Sequence, residues 1–376
     1  MKYLIAMDSF KGCLDAKKVC AAASRGIMQI PENETVCLPL ADGGEGTASA
    51  VCRALGGQII SCSVTDPFGN PAEGSYGVVP HERLAVIDTA SASGLGLARA
   101  GQGNILSAST YGTGLQIKDM LEQGYSRIVV GLGGSGTNDG GVGALYALGA
   151  AFYNKDGNII PNPCAKDLPE IFTVDISGLD RRLTDADLTL MFDVDIPLYG
   201  GRGSTLNYSP QKGADPDMVR LLEAGMISYA EAVKRSLGID ASSLSGAGAA
   251  GGLGFGLFIA GGKLVNGAVH MLELCGFDRL CADADIVITG EGRTDFQTAH
   301  GKLPAAVASA AKRHRLPVVC VCGAAKPSES LYKIGIDGIF AIPNCPMTIE
   351  NSIENAELLI SETCRNIAGF AASLVK

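Results

Sequence analysis

Charged residues and glycines are concentrated in five short stretches of the chain, and each stretch follows an apolar run with the character of a strand. The stretches are residues 8–12, 42–47, 131–141, 193–203 and 290–302. Carboxylate oxygens are ligands that suit Mg²⁺, and glycine-rich turns can present backbone N–H groups to phosphate. Lysine and arginine can balance the charge of a phosphoryl group during its transfer. The combination indicates chemistry on a magnesium-bound nucleotide.

Several candidate residues also have plain structural explanations. Asp42 can cap the helix that follows it, and Lys11 can be a solvated surface lysine. Asp193 and Asp195 lie two residues apart on an extended segment, so their side chains could face one side, with a turn or surface role as the alternative. Arg293 suits a substrate carboxylate because its planar fork binds bidentately, but a salt bridge would also explain it.

The stretch at 131–141 has the clearest local pattern. Residues 128–130 form a β-branched apolar run typical of a buried strand, and a glycine-rich turn and an apolar helix pattern follow. Thr137, Asn138 and Asp139 are candidate caps for that helix. Glycines 131, 133 and 136 also match GxGxxG, but this dinucleotide pattern is weak in a chain with 50 glycines. The sequence therefore predicts a phosphate-binding loop, with a purely structural turn as the alternative.

Composition excludes several classes of protein. The chain has 376 residues, a net charge of −9 and a pI near 5.0, which argue against binding to nucleic acid or to an anionic membrane. No charge-free apolar segment reaches the ~18 residues of a membrane helix, and the first residues are too short an apolar run for a secretory signal. The 12 cysteines lie in helix-like and strand-like segments without a CxxC pair, which favours buried thiols in a reducing cytoplasm.

The elements that must position these stretches follow an α/β rhythm. The chain begins β-α-β-α, which predicts a parallel sheet with the charged stretches beyond its strand ends. Turn chemistry and antiparallel patterns begin near residue 65, and the first rhythm returns at about residue 282. We therefore expect a discontinuous first domain at 1–64 and 282–376. A second α/β domain is expected at 65–281, with a cleft between the two.

Six stretches, taken in order, resemble the motifs of the bacterial glycerate kinases. They are residues 8–12, 39–47, 131–141, 193–195, 210–214 and 290–302. The resemblance covers essentially the whole chain, and the ordered set is specific although no single motif is. The departures are Cys13, Gly136, Phe192 and Ile196, together with Tyr208-Ser209 before Pro210. They affect the pocket wall more than the class of reaction.

This resemblance implies transfer of the γ-phosphoryl group of ATP to D-glycerate with Mg²⁺, usually on the 2-hydroxyl. It also implies that the first domain is a Rossmann-like parallel-sheet domain interrupted by the inserted α/β domain, with the active site in the cleft between the two. On that basis each candidate receives an expected role. The expected catalytic residues are Asp193, Lys11, Arg293 and Asp195. Those expected to bind the nucleotide cofactor are Asp8, Ser9, Gly43, Gly44, Gly133, Gly134, Ser135, Asn138, Asp139, Lys212, Glu291, Gln297 and Lys302. Those expected to hold the metal are Asp42 and Glu45.

Two alternatives of another class remain open from the residues alone. One is an oxidoreductase that binds a nucleotide cofactor with the 131–136 glycine loop, and the other is a non-catalytic nucleotide-binding sensor. The remaining expectations are a cytoplasmic monomer or homodimer with a small-molecule substrate. His300 lies inside the last charged stretch without an assigned role.

Overall fold

A computed structural model describes residues 1–100, 103–299 and 301–374, so His300 lies outside the described residues. In chain order the strands are β1 (Lys2–Met7), β2 (Glu34–Cys37), β3 (Gln58–Thr65), β4 (Pro71–Val79), β5 (Leu84–Asp88), β6 (Arg127–Gly131), β7 (Ala151–Tyr153), β8 (Thr173–Asp175), β9 (Asp187–Phe192), β10 (Lys263–Asn266), β11 (Ile286–Thr294), β12 (Val318–Ala325) and β13 (Gly338–Ala341).

The helices are α1 (Ala16–Ile27), α2 (Thr47–Leu55), α3 (Ala90–Ser93), α4 (Leu95–Ala100), α5 (Tyr111–Glu122), α6 (Val142–Ala147), α7 (Arg182–Asp185), α8 (Ser204–Tyr208), α9 (Pro216–Leu237), α10 (Ala249–Ile259), α11 (Gly267–Leu274), α12 (Phe277–Cys281), α13 (Leu303–Arg313), α14 (Glu329–Lys333), α15 (Ile349–Glu354) and α16 (Ala356–Leu374). Short 3₁₀ helices cover Pro80–Glu82, Ile105–Ser107, Ala165–Glu170 and Pro210–Lys212. Within the described ranges, no helix is both long and apolar enough to cross a membrane.

The chain divides into two compact units. Unit 1 comprises residues 1–42 and 268–376, and unit 2 comprises residues 43–267. Unit 1 contains a five-stranded, fully parallel sheet in the order β13-β12-β11-β1-β2. Its core packs alternate residues of β1, such as Tyr3, Ile5 and Met7, against apolar residues of α1 and α16. α13 also packs against β11 and β12.

Unit 2 contains a six-stranded mixed sheet in the order β10-β9-β6-β5-β4-β3. The pairs among β10, β9, β6 and β5 are parallel, and the pairs among β5, β4 and β3 are antiparallel. Because parallel strands end at the same edge, the carboxyl ends of β5, β6 and β9 share one edge of this sheet. A separate antiparallel pair joins β7 and β8.

The α/β class with parallel sheets is confirmed, but the units divide at other residues than the expected 64 and 281. Residues 43–64 belong to unit 2, because β3 pairs with β4 along its whole length and α2 packs on both strands. The composition change near residue 65 marks the turn between β3 and β4. At the other junction, α11 from Ala268 onward and α12 already belong to unit 1.

Candidate functional site

In unit 1, Asp8 lies directly after β1 and is almost fully buried, with 6% of its surface exposed. Its backbone N–H donates to the carbonyl oxygen of Gly290, and its carboxylate accepts from the Ser9 N–H at 2.6 Å. Burial raises the pKa of Asp8 to about 7, and the negative charge of Asp42 adds to this. The charge of Lys11 and the bond from Ser9 act in the opposite direction. Asp8, Lys11 and Asp42 are therefore brought together.

Lys11 and Asp42 form the ion pair of this group, with 4.0 Å between Nζ and Oδ2. The Lys11 side chain is 71% exposed, whereas that of Asp42 is 10% exposed. The backbone around Lys11 lies over β11, since a Cβ added to Gly292 would stand 3.5 Å from the Lys11 nitrogen. Lys11 can therefore reach a ligand in solvent while its charge balances that of the buried carboxylates.

The last turn-like stretch expected from the sequence is partly a strand, because β11 continues to Thr294 and includes Glu291 and Arg293. Glu291 is buried; it accepts from the Thr298 hydroxyl at 2.5 Å and lies 3.7 Å from Lys302 Nζ. Burial raises the pKa of Glu291, and the charge of Asp42 adds to this. Glu291 and Lys302 thus belong to the same charged group as Asp42.

Arg293 lies at the open side of this stretch. Its side chain is 71% exposed, and Nε bonds to Asp295 Oδ2 at 3.1 Å. Asp295 also accepts from the backbone N–H of the exposed Gln297 at 2.9 Å. This contact at Nε orients the guanidinium, and the planar group is of a kind that can pair bidentately with a carboxylate.

The donor set of unit 1 fits a hard divalent cation. Asp8 and Asp42 are carboxylates close enough for one charge to raise the pKa of the other, a repulsion that a bound cation would relieve. Mg²⁺ in nucleotide sites takes one or two carboxylates and completes its shell with phosphate oxygens and water. Throughout the described parts of the chain, no group of three or more metal-ligating side chains occurs, so a purely protein-made cage is not present there.

The expected second metal ligand, Glu45, belongs to unit 2. It is exposed, and its charge acts on Asp88, whose pKa it helps to raise. Asp42 and Glu45 therefore fall on different units, although three residues separate them in the sequence. Asp8, which the sequence assigned to the nucleotide, is the carboxylate that accompanies Asp42.

Two glycine-rich loops contact each other in unit 2. The Gly133 N–H donates to the Gly43 carbonyl oxygen at 3.0 Å. A Cβ added to Gly133 would stand 2.5 Å from the Gly44 Cα, and one added to Gly131 would stand 2.7 Å from the Gly43 oxygen. Glycine is required here because any side chain would force the two backbones apart. Gly134, with a φ of +75°, is the exposed tip of its loop.

Lys212 binds to the loop that contains Gly134 through two hydrogen bonds. Its ammonium group donates to Ser135 Oγ at 2.9 Å and to the Thr137 carbonyl oxygen at 2.8 Å. The residue is half-buried, and burial lowers the pKa of Lys212 to about 8, while the charge of Asp139 acts in the opposite direction. Ser135 and Lys212, both expected at the nucleotide, are thus in direct contact.

Asn138 and Asp139 point into unit 2 rather than toward solvent, and both are fully buried. Asp139 accepts from the N–H and hydroxyl of Thr110 at 2.7 and 2.8 Å, and from the N–H groups of Gly141 and Gly143 at 3.2 Å. Asn138 donates to the Thr205 hydroxyl at 3.1 Å. The sequence expected Asp139 as a possible helix cap, and these bonds to the start of α6 agree with that role.

Asp193 and Asp195 follow β9 at the sheet edge where β5 and β6 also end. Asp193 is half-buried and Asp195 is exposed. Burial raises the pKa of Tyr208, and the charge of Asp193 adds to this, so the two side chains are near each other. Asp193 and Asp195 therefore continue the chain from the carboxyl edge of the sheet of unit 2, and Asp195 is the more exposed of the two.

Asp88 is a site candidate that the sequence analysis missed. It ends β5, and its carboxylate accepts from the N–H groups of Gly46 at 2.8 Å and Ala48 at 2.9 Å. The signal was available, since an acidic residue follows the buried run at 84–87 just as Asp8 and Asp193 follow theirs. The residues before it have the pattern of an antiparallel ribbon, whereas β5 also pairs in parallel with β6 and so ends at the same edge as β6 and β9.

Three comparisons with known proteins agree. The sequence profile of the Glycerate kinase family matches residues 3–372. A Glycerate kinase of Bacillus cereus is 42% identical over 98% of this chain and 97% of that protein. The Glycerate 2-kinase of Escherichia coli is 38% identical over 99% of this chain and 98% of that protein. A crystal structure from Salmonella typhimurium LT2, assigned as glycerate kinase 2, has a TM-score of 0.86 at 38% identity, covering 99% of this chain and 98% of that chain.

Proposed function

The chain belongs to the glycerate kinase family, and from this premise we propose that it transfers the γ-phosphoryl group of ATP to D-glycerate in the presence of Mg²⁺. Membership makes it a kinase, a phosphotransferase that uses a nucleotide and an alcohol group as acceptor. The product proposed is 2-phosphoglycerate rather than 3-phosphoglycerate, in line with the name of the Escherichia coli relative.

The observation that carries the proposal is the buried carboxylate pair of Asp8 and Asp42 beside Lys11. We assign Mg²⁺ to Asp8 and Asp42. Glu45 is not assigned to the metal, because its charge acts on Asp88 in unit 2. When bound, the metal supplies charge neutralisation at phosphate oxygens. Lys302 and Glu291 extend the same charged group, and Ser9 and Gln297 stay assigned to the nucleotide side.

The glycerate carboxylate is assigned to Arg293, whose guanidinium is exposed and oriented by Asp295. Lys11 adds a second positive charge on the same unit. Asp193 accepts the proton of the attacking hydroxyl, and Asp195 assists from its more exposed position. Because the transition state of phosphoryl transfer is loose, positioning and charge balance supply most of the rate, and one base adds about 10²–10⁴.

The phosphate chain of ATP is assigned to the loops around Gly43, Gly44, Gly133, Gly134 and Ser135. Lys212, Asn138 and Asp139 hold the second loop from within through the hydrogen bonds described above. We therefore propose that these three residues shape the nucleotide site, with Lys212 also contributing positive charge.

Two further properties complete the proposal. We assign the enzyme to the cytoplasm, because eight of its 12 cysteines are buried thiols, as is usual in a reducing compartment. It acts there as a monomer or a homodimer on a small molecule, with neither nucleic acid nor membrane as a partner. Size-exclusion chromatography with light scattering distinguishes the two oligomeric states.

One assay tests the proposed function. The protein is incubated with ATP, Mg²⁺ and D-glycerate, ADP release is followed by a coupled reaction, and the products are resolved by NMR. We expect ADP release that depends on glycerate, stops with EDTA and returns with added Mg²⁺, and a phosphorus signal on the 2-position. ADP release that ignores glycerate, or NADH binding without phosphoryl transfer, would overturn the assignment.

A further inference from the structure

Asp88 connects the two glycine loops of unit 2. Its backbone is in register with Gly131, the last residue of β6, and the next N–H, that of Thr89, donates to the Gly131 carbonyl oxygen at 2.9 Å. Its side chain binds instead to the other loop, through Gly46 at 2.8 Å and Ala48 at 2.9 Å. The end of β5, at Asp88 and Thr89, therefore contacts both loops.

The side chain of Asp88 supplies a cap that α2 lacks in its own sequence. The N-cap residue of α2 is Gly46, which has a φ of +96° and no side-chain oxygen. The first N–H groups of a helix have no partner within the helix, and a carboxylate at this end is stabilising. Asp88 provides both acceptor oxygens from a neighbouring strand, 40 residues away in the sequence from Ala48.

The contact between the loops leaves little tolerance. Gly133 donates to the Gly43 oxygen at 3.0 Å, and there is no room for a Cβ at Gly131 or Gly133. A shift of residues 43–46 would therefore displace the backbone at 131–134 as well. The Asp88 carboxylate that caps α2 is thus bonded to the same loop whose Gly43 accepts the hydrogen bond from Gly133.

We propose that Asp88 is a positioning residue for phosphoryl transfer, which holds residues 43–46 and 131–134 at the separation that the phosphate chain of the nucleotide requires. The inference rests on the proposed function for its role in transfer. Its structural part, the link between the loops, stands on the contacts of unit 2 alone.

The test compares Asp88→Asn and Asp88→Ala with the parent protein. Asparagine keeps one acceptor oxygen and loses the other, whereas alanine loses both. Since displacement of aligned groups by about 1 Å can cost about 10²-fold in rate, we expect kcat to fall by about that factor in Asp88→Ala and by less in Asp88→Asn. If Asp88→Ala does not fold, Asp88→Asn carries the comparison.

Hydrogen exchange measured by mass spectrometry gives a second readout that does not depend on turnover. Amides at 43–50 and at 131–136 are expected to exchange faster in both variants, and affinity for ADP measured by calorimetry is expected to fall. Asp66→Asn is the matched control, because Asp66 also accepts backbone N–H groups in unit 2, those of Phe68 and Asn70 at 2.8 and 2.9 Å. It should leave both kcat and exchange at 131–136 unchanged.

The outcomes separate the two proposals. Parent-like kcat together with parent-like exchange at 131–136 in Asp88→Asn and Asp88→Ala would overturn the role of Asp88. An equal loss of kcat in Asp66→Asn would reduce it to a general effect on stability and overturn it too. If the parent itself does not phosphorylate glycerate, the proposed function fails, while exchange at 131–136 still decides whether Asp88 links the loops.

Discussion

Replacing Asp8 with asparagine is expected to stabilise unit 1 at neutral and alkaline pH while it lowers the rate of phosphoryl transfer. Asp8 is almost fully buried next to Asp42, and burial raises its pKa from the ordinary value of 3.8 to about 7. Asparagine has nearly the same shape and can keep the bond from the Ser9 N–H. It removes only the charge that the native fold holds at a cost.

The magnitude follows from linkage between protonation and folding. Between pH 3.8 and about 7 the unfolded chain has released the Asp8 proton while the folded chain retains it, so the stability of the parent falls as pH rises. The full difference corresponds to about 4 kcal/mol at about 1.4 kcal/mol for each tenfold change in the acid constant. In the parent, Lys11 can move toward the charge that Asp8 acquires on ionisation, which reduces the cost of that charge. We therefore expect the free energy of unfolding of Asp8→Asn to exceed that of the parent by about 2–4 kcal/mol at about pH 8 and by almost nothing at about pH 4.

The assay is urea-induced unfolding without divalent cations, followed by circular dichroism because the chain contains no tryptophan. Asp15→Asn is the control, since Asp15 is an exposed carboxylate of unit 1 that caps α1 by accepting the Lys18 N–H at 2.8 Å. Asparagine is an equally good cap, so this variant should stay within about 0.5 kcal/mol of the parent. A gain for Asp8→Asn that is absent, or equal at both pH values, would refute the reasoning.

Three further variants test the roles assigned in unit 2. Asp193→Asn should lower kcat by about 10²–10⁴ while the KM for glycerate changes far less, and a near-normal kcat in steady-state assays would remove Asp193 as the base. In the folded parent, Lys212 has a pKa of about 8 and releases its proton before the unfolded lysine does, so the free energy of unfolding should rise by about 1–3 kcal/mol between about pH 8 and pH 10. Lys212→Met should abolish this rise. Urea unfolding at both pH values measures it, and an unchanged rise in the variant contradicts the prediction. Gly133→Ala should weaken ADP binding by at least about tenfold in calorimetry, because its Cβ would stand 2.5 Å from the Gly44 Cα; parent-like affinity would show that the loops can separate without loss.

The sequence predicted most of the elements that carry the candidate site. Buried apolar runs at 3–7 and 188–192 correspond to β1 and β9, and Asp8 and Asp193 follow them as expected. These predictions succeed because a strand buried on both faces consists of consecutive apolar residues, a pattern that is visible in the local sequence. The polar residue after such a run lies at the end of a parallel strand by the geometry of the sheet.

What the sequence did not predict depends on partners far along the chain. β11 continues through Glu291 and Arg293 because β12 pairs with it, although that segment has no apolar run. The bonds from Gly46 and Ala48 to Asp88 join residues about 40 positions apart, which no local pattern reports. Asp139 lies in a glycine-rich stretch typical of a surface loop, yet it is completely buried. The four hydrogen bonds that its carboxylate accepts offset the cost of removing it from water.

The order of strands in unit 1 has a consequence for synthesis on the ribosome. β1 lies between β2 and β11, so one neighbour is made about 30 residues later and the other only after the whole of unit 2 has been translated. The nascent chain must therefore carry the apolar β1 without its second partner while residues 43–267 are completed. All strands of unit 2 are therefore translated before unit 1 can complete its sheet. The carboxylate pair of Asp8 and Asp42 meets its neighbours Gly290 and Glu291 only when the last third of the protein has emerged.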